Sequence, residues 1–157
     1  MNRDSMFIIV ARFQIEVSFF LEALAEKVEF NSHIGSLLNQ HLVLSTEECQ
    51  KELVFLSPAC LGFKDAVKRV DFFQRAQEQG YKLCNLETIL QYLLQHGEAI
   101  QQGEIVLFAM EPLPSNQSSV LHTLGYARFD DDKVLLMSDS ASDDQSFVAH
   151  FPWLFCK

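Results

Sequence analysis

The chain reads as an α+β fold in which N-terminal helices pack on a C-terminal antiparallel sheet of about four strands, the layering expected when helices and strands are segregated along a sequence. Three observations carry that expectation. Apolar residues recur at helical spacing as far as Gly97, the period shortens to two or dissolves into continuous apolar runs after Gly103, and only short polar turns separate those later runs. One globular domain over residues 1–157 is expected, helical over about 1–97 and β-rich over about 103–157.

Met6-Phe-Ile-Ile-Val-Ala11 is short and partly β-branched, which favours a buried strand over a helix. From Gln14 the spacing changes. Val17, Phe20, Leu21, Leu24 and Val28 form a helical stripe, with Glu16, Glu22, Glu26 and Lys27 elsewhere on the wheel, so an amphipathic helix ending near Asn31 is expected. Ile34, Leu37 and Leu38 place a second short helix over Ser32 to Gln40. Ser45-Thr-Glu-Glu48 has capping-box spacing, in which a hydroxyl and a carboxylate each satisfy a free backbone N–H, and a helix is therefore expected from Thr46. Glu52 to Leu56 also suits a strand running into the Ser57-Pro58 break.

Leu61-Gly62-Phe63 reads as a turn, after which Val67, Val70, Phe73 and Ala76 mark a helix that Gly80 closes in a left-handed cap. The next helix carries the cleanest pattern, with Leu86, Ile89, Leu90, Leu93 and Leu94 on one side, Asn85 as N-cap and Gly97 as stop. Ile105 to Met110, Val120 to Phe129, Lys133 to Ser138 and Phe147 to Cys156 are the expected strands, joined as a meander through turns at 116–119, 130–132 and 139–145. Pro152 cannot donate to a ladder, so the last strand is expected at an edge or bent there.

The residues Leu61-Gly62-Phe63, then Arg75-Ala76-x-Glu78-x-Gly80-x-x-Leu83-Cys84-x-x-Glu87, then Gly103-Glu104 and Ala109-Met110-Glu111-Pro112, closing on Phe147-Val148 and a basic Lys157, resemble a group of uncharacterised bacterial proteins. The resemblance implies a shared fold. No activity is established for the group, so it implies no catalytic residue.

Composition narrows the function. Hydrophobic residues make up 48% of the chain and charged residues 21%, a globular rather than disordered profile. The apolar runs are far shorter than the ~20 residues of a membrane span, and the N-terminal one is too short for a signal peptide, so a soluble cytoplasmic protein is expected. The net charge of −9 is concentrated in the second half, where residues 83–157 carry −7 against −2 for residues 1–82. A phosphate backbone is bound through Lys and Arg, so nucleic acid is excluded as a partner of that half.

The four cysteines form no C-x-x-C pair and the five histidines no H-x-x-x-H or H-x-H pair, so neither metal nor cofactor is expected. Nucleotide-binding, serine hydrolase and metalloprotease signatures are absent, and the Asp139 to Asp144 run lacks the glycine and alternating ligands of a calcium loop. Two candidate sites follow. The leading expectation is a non-catalytic protein-binding domain that meets a basic partner through an acidic C-terminal β face made by Asp130, Asp131, Asp132, Asp139, Asp143 and Asp144. The alternative is a cysteine-dependent hydrolase or transferase. In it Cys84, beside the positive end of the following helix, is the nucleophile, His122 or His150 the base, and Glu111 or Asp139 the residue orienting the imidazole.

Overall fold

The computed structural model describes residues 6–10, 16–130 and 133–157. In chain order the elements are β1 (Met6–Val10), α1 (Val17–Lys27), β2 (Val28–Glu29), α2 (Ser32–His41), β3 (Cys49–Leu56), β4 (Val67–Lys68), α3 (Arg69–Glu78) and α4 (Leu86–His96). They continue as β5 (Ile105–Phe108), β6 (Leu113–Ser115), β7 (Ser118–Ala127), β8 (Val134–Ser140), β9 (Ser146–Phe147) and β10 (Trp153–Cys156). Single 3-10 turns follow β3 and α4, at Pro58–Leu61 and Gly97–Ala99.

In α2 and α4 periodicity and a side-chain cap agree. Asn31 and Asn85 each accept the backbone N–H three residues on, from Ile34 and Thr88, at 2.9 Å, which satisfies one of the orphan donors of α2 and of α4. Gly80 adopts φ 91°, a left-handed conformation that costs little only for glycine, two residues past the end of α3.

The class is α+β, but the expected sheet is corrected. The main sheet has 8 strands in the order β1-β3-β10-β5-β7-β8-β2, with β6 paired to β7, and a second sheet pairs β4 with β9. It is mixed: β10 runs parallel to β5 and β2 parallel to β8, while the other pairings are antiparallel. Strands and helices are therefore interleaved rather than segregated. The N-terminal β3 sits between β1 and the C-terminal β10, so the two halves of the chain share one sheet.

Two further expectations change with it. No helix starts at Thr46; Ser45 turns instead to Glu87, and the chain enters β3. The last strand splits, Phe147 pairing in β9 and Trp153–Cys156 forming an interior strand, while the Pro152 carbonyl accepts the Leu107 N–H. Pro152 precedes the ladder, where its missing N–H costs nothing.

Both faces of the sheet are covered at β10, which is why that strand is apolar at every position. One face packs Ile8, Leu53, Leu154, Val106, Phe108, Leu124 and Tyr126 against α1, α2 and α4. α4 lies deep in this layer, and Glu87, Thr88 and Gln91 are buried along with its apolar stripe. The other face packs Leu56, Ala109, Trp153 and Phe155 against Phe72, Phe73 and Ala76 of α3. Four ring pairs between Phe72 or Phe73 and Trp153 or Phe155 have centroids 5.3–5.8 Å apart in tilted or edge-on geometry. Each such pair adds about 0.5–1.5 kcal/mol beyond burial, so α3 is held firmly, and with it the first residue of the helix, Arg69.

Candidate functional site

The residues expected to make a cysteine nucleophile are not brought together. Cys84 is 3% exposed. Its sulfur lies 3.6 Å from the Leu154 carbonyl oxygen and 3.3 Å from the Cys156 sulfur. The contact with Cys156, reinforced by burial, holds the Cys84 thiol well above its ordinary pKa, so it is a neutral core thiol and the activated-nucleophile reading falls. His122 packs edge-on against His33 with ring centroids 4.7 Å apart, and its Nε2 is buried without a hydrogen-bond partner among the described residues. Burial, then the neighbouring His33, lower its pKa.

His150 is exposed and lines a different cleft of about 100 Å³, together with Cys60, Phe55, Val106 and Pro152. There the Ser57 hydroxyl lies 3.3 Å from the Cys60 sulfur. Burial is the largest single influence and opposes ionisation of this thiol, but the hydrogen bonds from Ser57, with smaller contributions, together leave its pKa lowered. No hydrogen bond joins Cys60 to His150 among the described residues, and Glu104, on the same wall, accepts the Tyr126 hydroxyl at 2.6 Å. The fold thus exposes Cys60 and buries Cys84, an assignment that no local spacing encodes.

The acidic residues divide. β7 and β8 pair from His122↔Ser140 at one end to Ala127↔Leu135 at the other, so Asp130 follows one end of the hairpin while Asp139, Asp143 and Asp144 gather at the other. Asp131 and Asp132 lie outside the described residues. Asp139 accepts the N–H of Ser140 at 2.8 Å and the Gln145 amide at 3.2 Å. Asp144 lies 3.4 Å from Lys68 Nζ and Asp143 3.5 Å from Arg69 Nη2. Asp139 is thus held within its own loop, while Asp143 and Asp144 are exposed and make long contacts to the start of α3.

That junction borders a cleft of about 590 Å³ between α3 and the end of the hairpin. Its apolar surface comes from Val70, Phe73, Leu83, Met110, Pro112 and Leu121, and its polar rim from Gln74, Gln77, Glu111 and Asp143. Val70 and Leu121 are exposed, so the cleft presents uncovered apolar area to solvent. Arg69 belongs to its lining.

Arg69 is 6% exposed. Its guanidinium rests 5.9 Å from the centre of the Phe73 ring, and Nη1 is buried with no hydrogen-bond partner among the described residues. Among the described residues Nη2 meets the exposed Asp143, at a distance beyond a good charge-assisted hydrogen bond. The residue also occupies the first position of α3, where the helix dipole is positive, so two positive sources converge. A buried cation normally carries a full set of acceptors, and this one does not. The sequence held a faint signal for it: an arginine three and four residues before Phe72 and Phe73, on the apolar side of a helix and in the turn least hospitable to a cation.

Among the described residues no three His, Cys, Asp or Glu side chains gather as a metal site. No helix among them is long and apolar enough to cross a membrane. No family model matches the chain, and neither a curated protein nor a solved structure does.

Proposed function

We propose that this chain is a small cytoplasmic, non-catalytic protein-binding domain whose contact surface is the cleft between α3 and the end of the β7–β8 hairpin. The observation that carries the reading is the buried Arg69 guanidinium, incompletely paired, in the lining of an open apolar cleft. The volume falls within the range of ligand sites, and an apolar floor with a few convergent polar groups is their usual make-up. Exposed apolar walls supply affinity, and the buried cation supplies orientation. Cys84, which the sequence placed beside a helix N-terminus, is enclosed against Leu154 and Cys156, which argues against a catalytic centre there.

The test uses Val70→Glu and Leu121→Glu, two changes at exposed cleft positions that leave the core intact. Proteins captured by the parent domain should be lost from both variants while the circular dichroism spectrum and melting temperature stay unchanged. A partner set retained in full by both variants would end the reading.

A further inference from the structure

We infer that the cleft seats the free C-terminal carboxylate of a peptide on Arg69, in the place that Asp143 now partly fills; this rests on the protein-binding reading above. Arg69 offers two parallel donors on Nη1 and Nη2, a fork that matches the two oxygens of one carboxylate. Among the described residues Nη1 finds no acceptor, and Nη2 finds one carboxylate oxygen at 3.5 Å. Asp143 is exposed and approaches from the loop between β8 and β9, so it is a weak stand-in for a better-placed anion.

The rest of the cleft argues for a peptide as the bearer of that carboxylate. Val70, Leu83, Met110 and Leu121 provide apolar surface for the side chains preceding a C-terminus. Gln74 and Gln77 stand on the rim of the same cleft, and amide side chains can both donate to and accept from a peptide backbone. A fatty acid would make no use of them. An isolated phosphate or carboxylate would leave the apolar walls empty. Glu111 and Asp143 repel acidic side chains along the peptide, so the partner carries its negative charge at the terminus only.

The experiment compares two pools of N-acetylated hexapeptides with randomised aliphatic and polar positions, one ending in a free carboxylate and the other in a carboxamide. Both are titrated into the 157-residue chain, with the backbone amide signals of Val70, Phe73, Leu121 and Ala141 as the readout. The free-acid pool should shift these signals at concentrations at least about tenfold lower than the amide pool, the factor expected for one charge-assisted pair. Asp143→Asn, which removes the competing carboxylate, should strengthen free-acid binding further. Arg69→Lys, which keeps the charge and loses the fork, should weaken it, and the amide pool serves as the control that needs no variant. Equal binding of the two pools at these residues overturns the carboxylate seat and leaves the cleft as a protein-binding surface. Absence of any shift with either pool overturns both.

Discussion

Replacing Gln95 with alanine should strip the outer edge of β1 of a substitute for a neighbouring strand. β1 is the last strand on its side of the main sheet. The Gln95 amide accepts the Ile9 N–H at 3.0 Å and donates to the Ile9 carbonyl at 2.7 Å, the same pair of bonds that an adjacent strand would make. His96, next along α4, holds the Phe7 carbonyl at 3.0 Å. Phe7 and Ile9 point away from the layer of α1, α2 and α4 and are half exposed, so without these side chains the edge would be both unpaired and apolar. Such edges recruit other chains.

The magnitude follows from the two lost hydrogen bonds. Each is worth about 0.5–1.5 kcal/mol net, and because the groups lie at the surface, water recovers part, leaving about 1–2 kcal/mol. Amide exchange at Ile9 should accelerate roughly tenfold, since about 1.4 kcal/mol is a factor of ten. The melting temperature should fall by roughly 2–8 °C for a chain of this length. Sedimentation at increasing concentration should reveal self-association in the variant only. Gln95→Glu keeps the acceptor but sets a carboxylate against the Ile9 carbonyl, and should fall between parent and alanine variant. Unchanged Ile9 exchange in Gln95→Ala would refute the reasoning, whatever the melting temperature does.

Gly125 lies opposite Leu107, and a Cβ there would stand 2.8 Å from the Val106 carbonyl oxygen and from a Leu107 methyl group. Because one of the two is backbone, Gly125→Ala should cost about 2 kcal/mol and lower the melting temperature by roughly 4–8 °C. In the folded protein iodoacetamide should label Cys49 and Cys60 while Cys84 and Cys156 stay protected, as peptide mass spectrometry would reveal. Ser57→Ala should slow labelling of Cys60 near neutral pH and leave Cys49 unaffected, and early labelling of Cys84 would reverse the assignment of the core thiol. His122 has a folded-state pKa below its ordinary 6.5, so as pH falls the unfolded chain takes up the proton first. Its contribution to stability is fully present above about pH 6.5 and is lost below it. His122→Gln should therefore flatten the fall in melting temperature between pH 7.5 and 5, and an unchanged slope would assign that fall to other groups.

The sequence revealed helices where the local signal was redundant and misled where one motif stood alone. Asn85 followed by five leucine and isoleucine positions left little choice, and α4 appears with that cap. Ser45-Thr-Glu-Glu48 offered a capping box and nothing else. Its serine instead donates through both N–H and hydroxyl to Glu87, at 2.6–3.0 Å, across 42 positions of sequence. Glu87 is buried, and the two Ser45 donors, the N–H shared between both carboxylate oxygens, outweigh a local cap worth about 1 kcal/mol. The mixed sheet is illegible in the sequence for the same reason. Two-residue strands such as β2 and β4 carry no period, and the parallel pairing of β5 with β10 depends on which distant strands meet.

Sites follow the same logic with less help. A cysteine beside a helix cap looks reactive because the local electrostatics favour thiolate, but the sequence does not say that Leu154 and Cys156 enclose it. Arg69 was legible only as an oddity, a cation in the first turn of α3 on its apolar side. What turns the oddity into a seat for an anion is tertiary: Phe72 and Phe73 clamp the helix to Trp153 and Phe155, burying the guanidinium, while the loop after β8 delivers one distant carboxylate where the fork could hold a whole one. A lysine on a flexible stem could relax away from that position. The planar arginine, stacked near Phe73, keeps its donors in place, and that rigidity makes its incomplete pairing a property of the site.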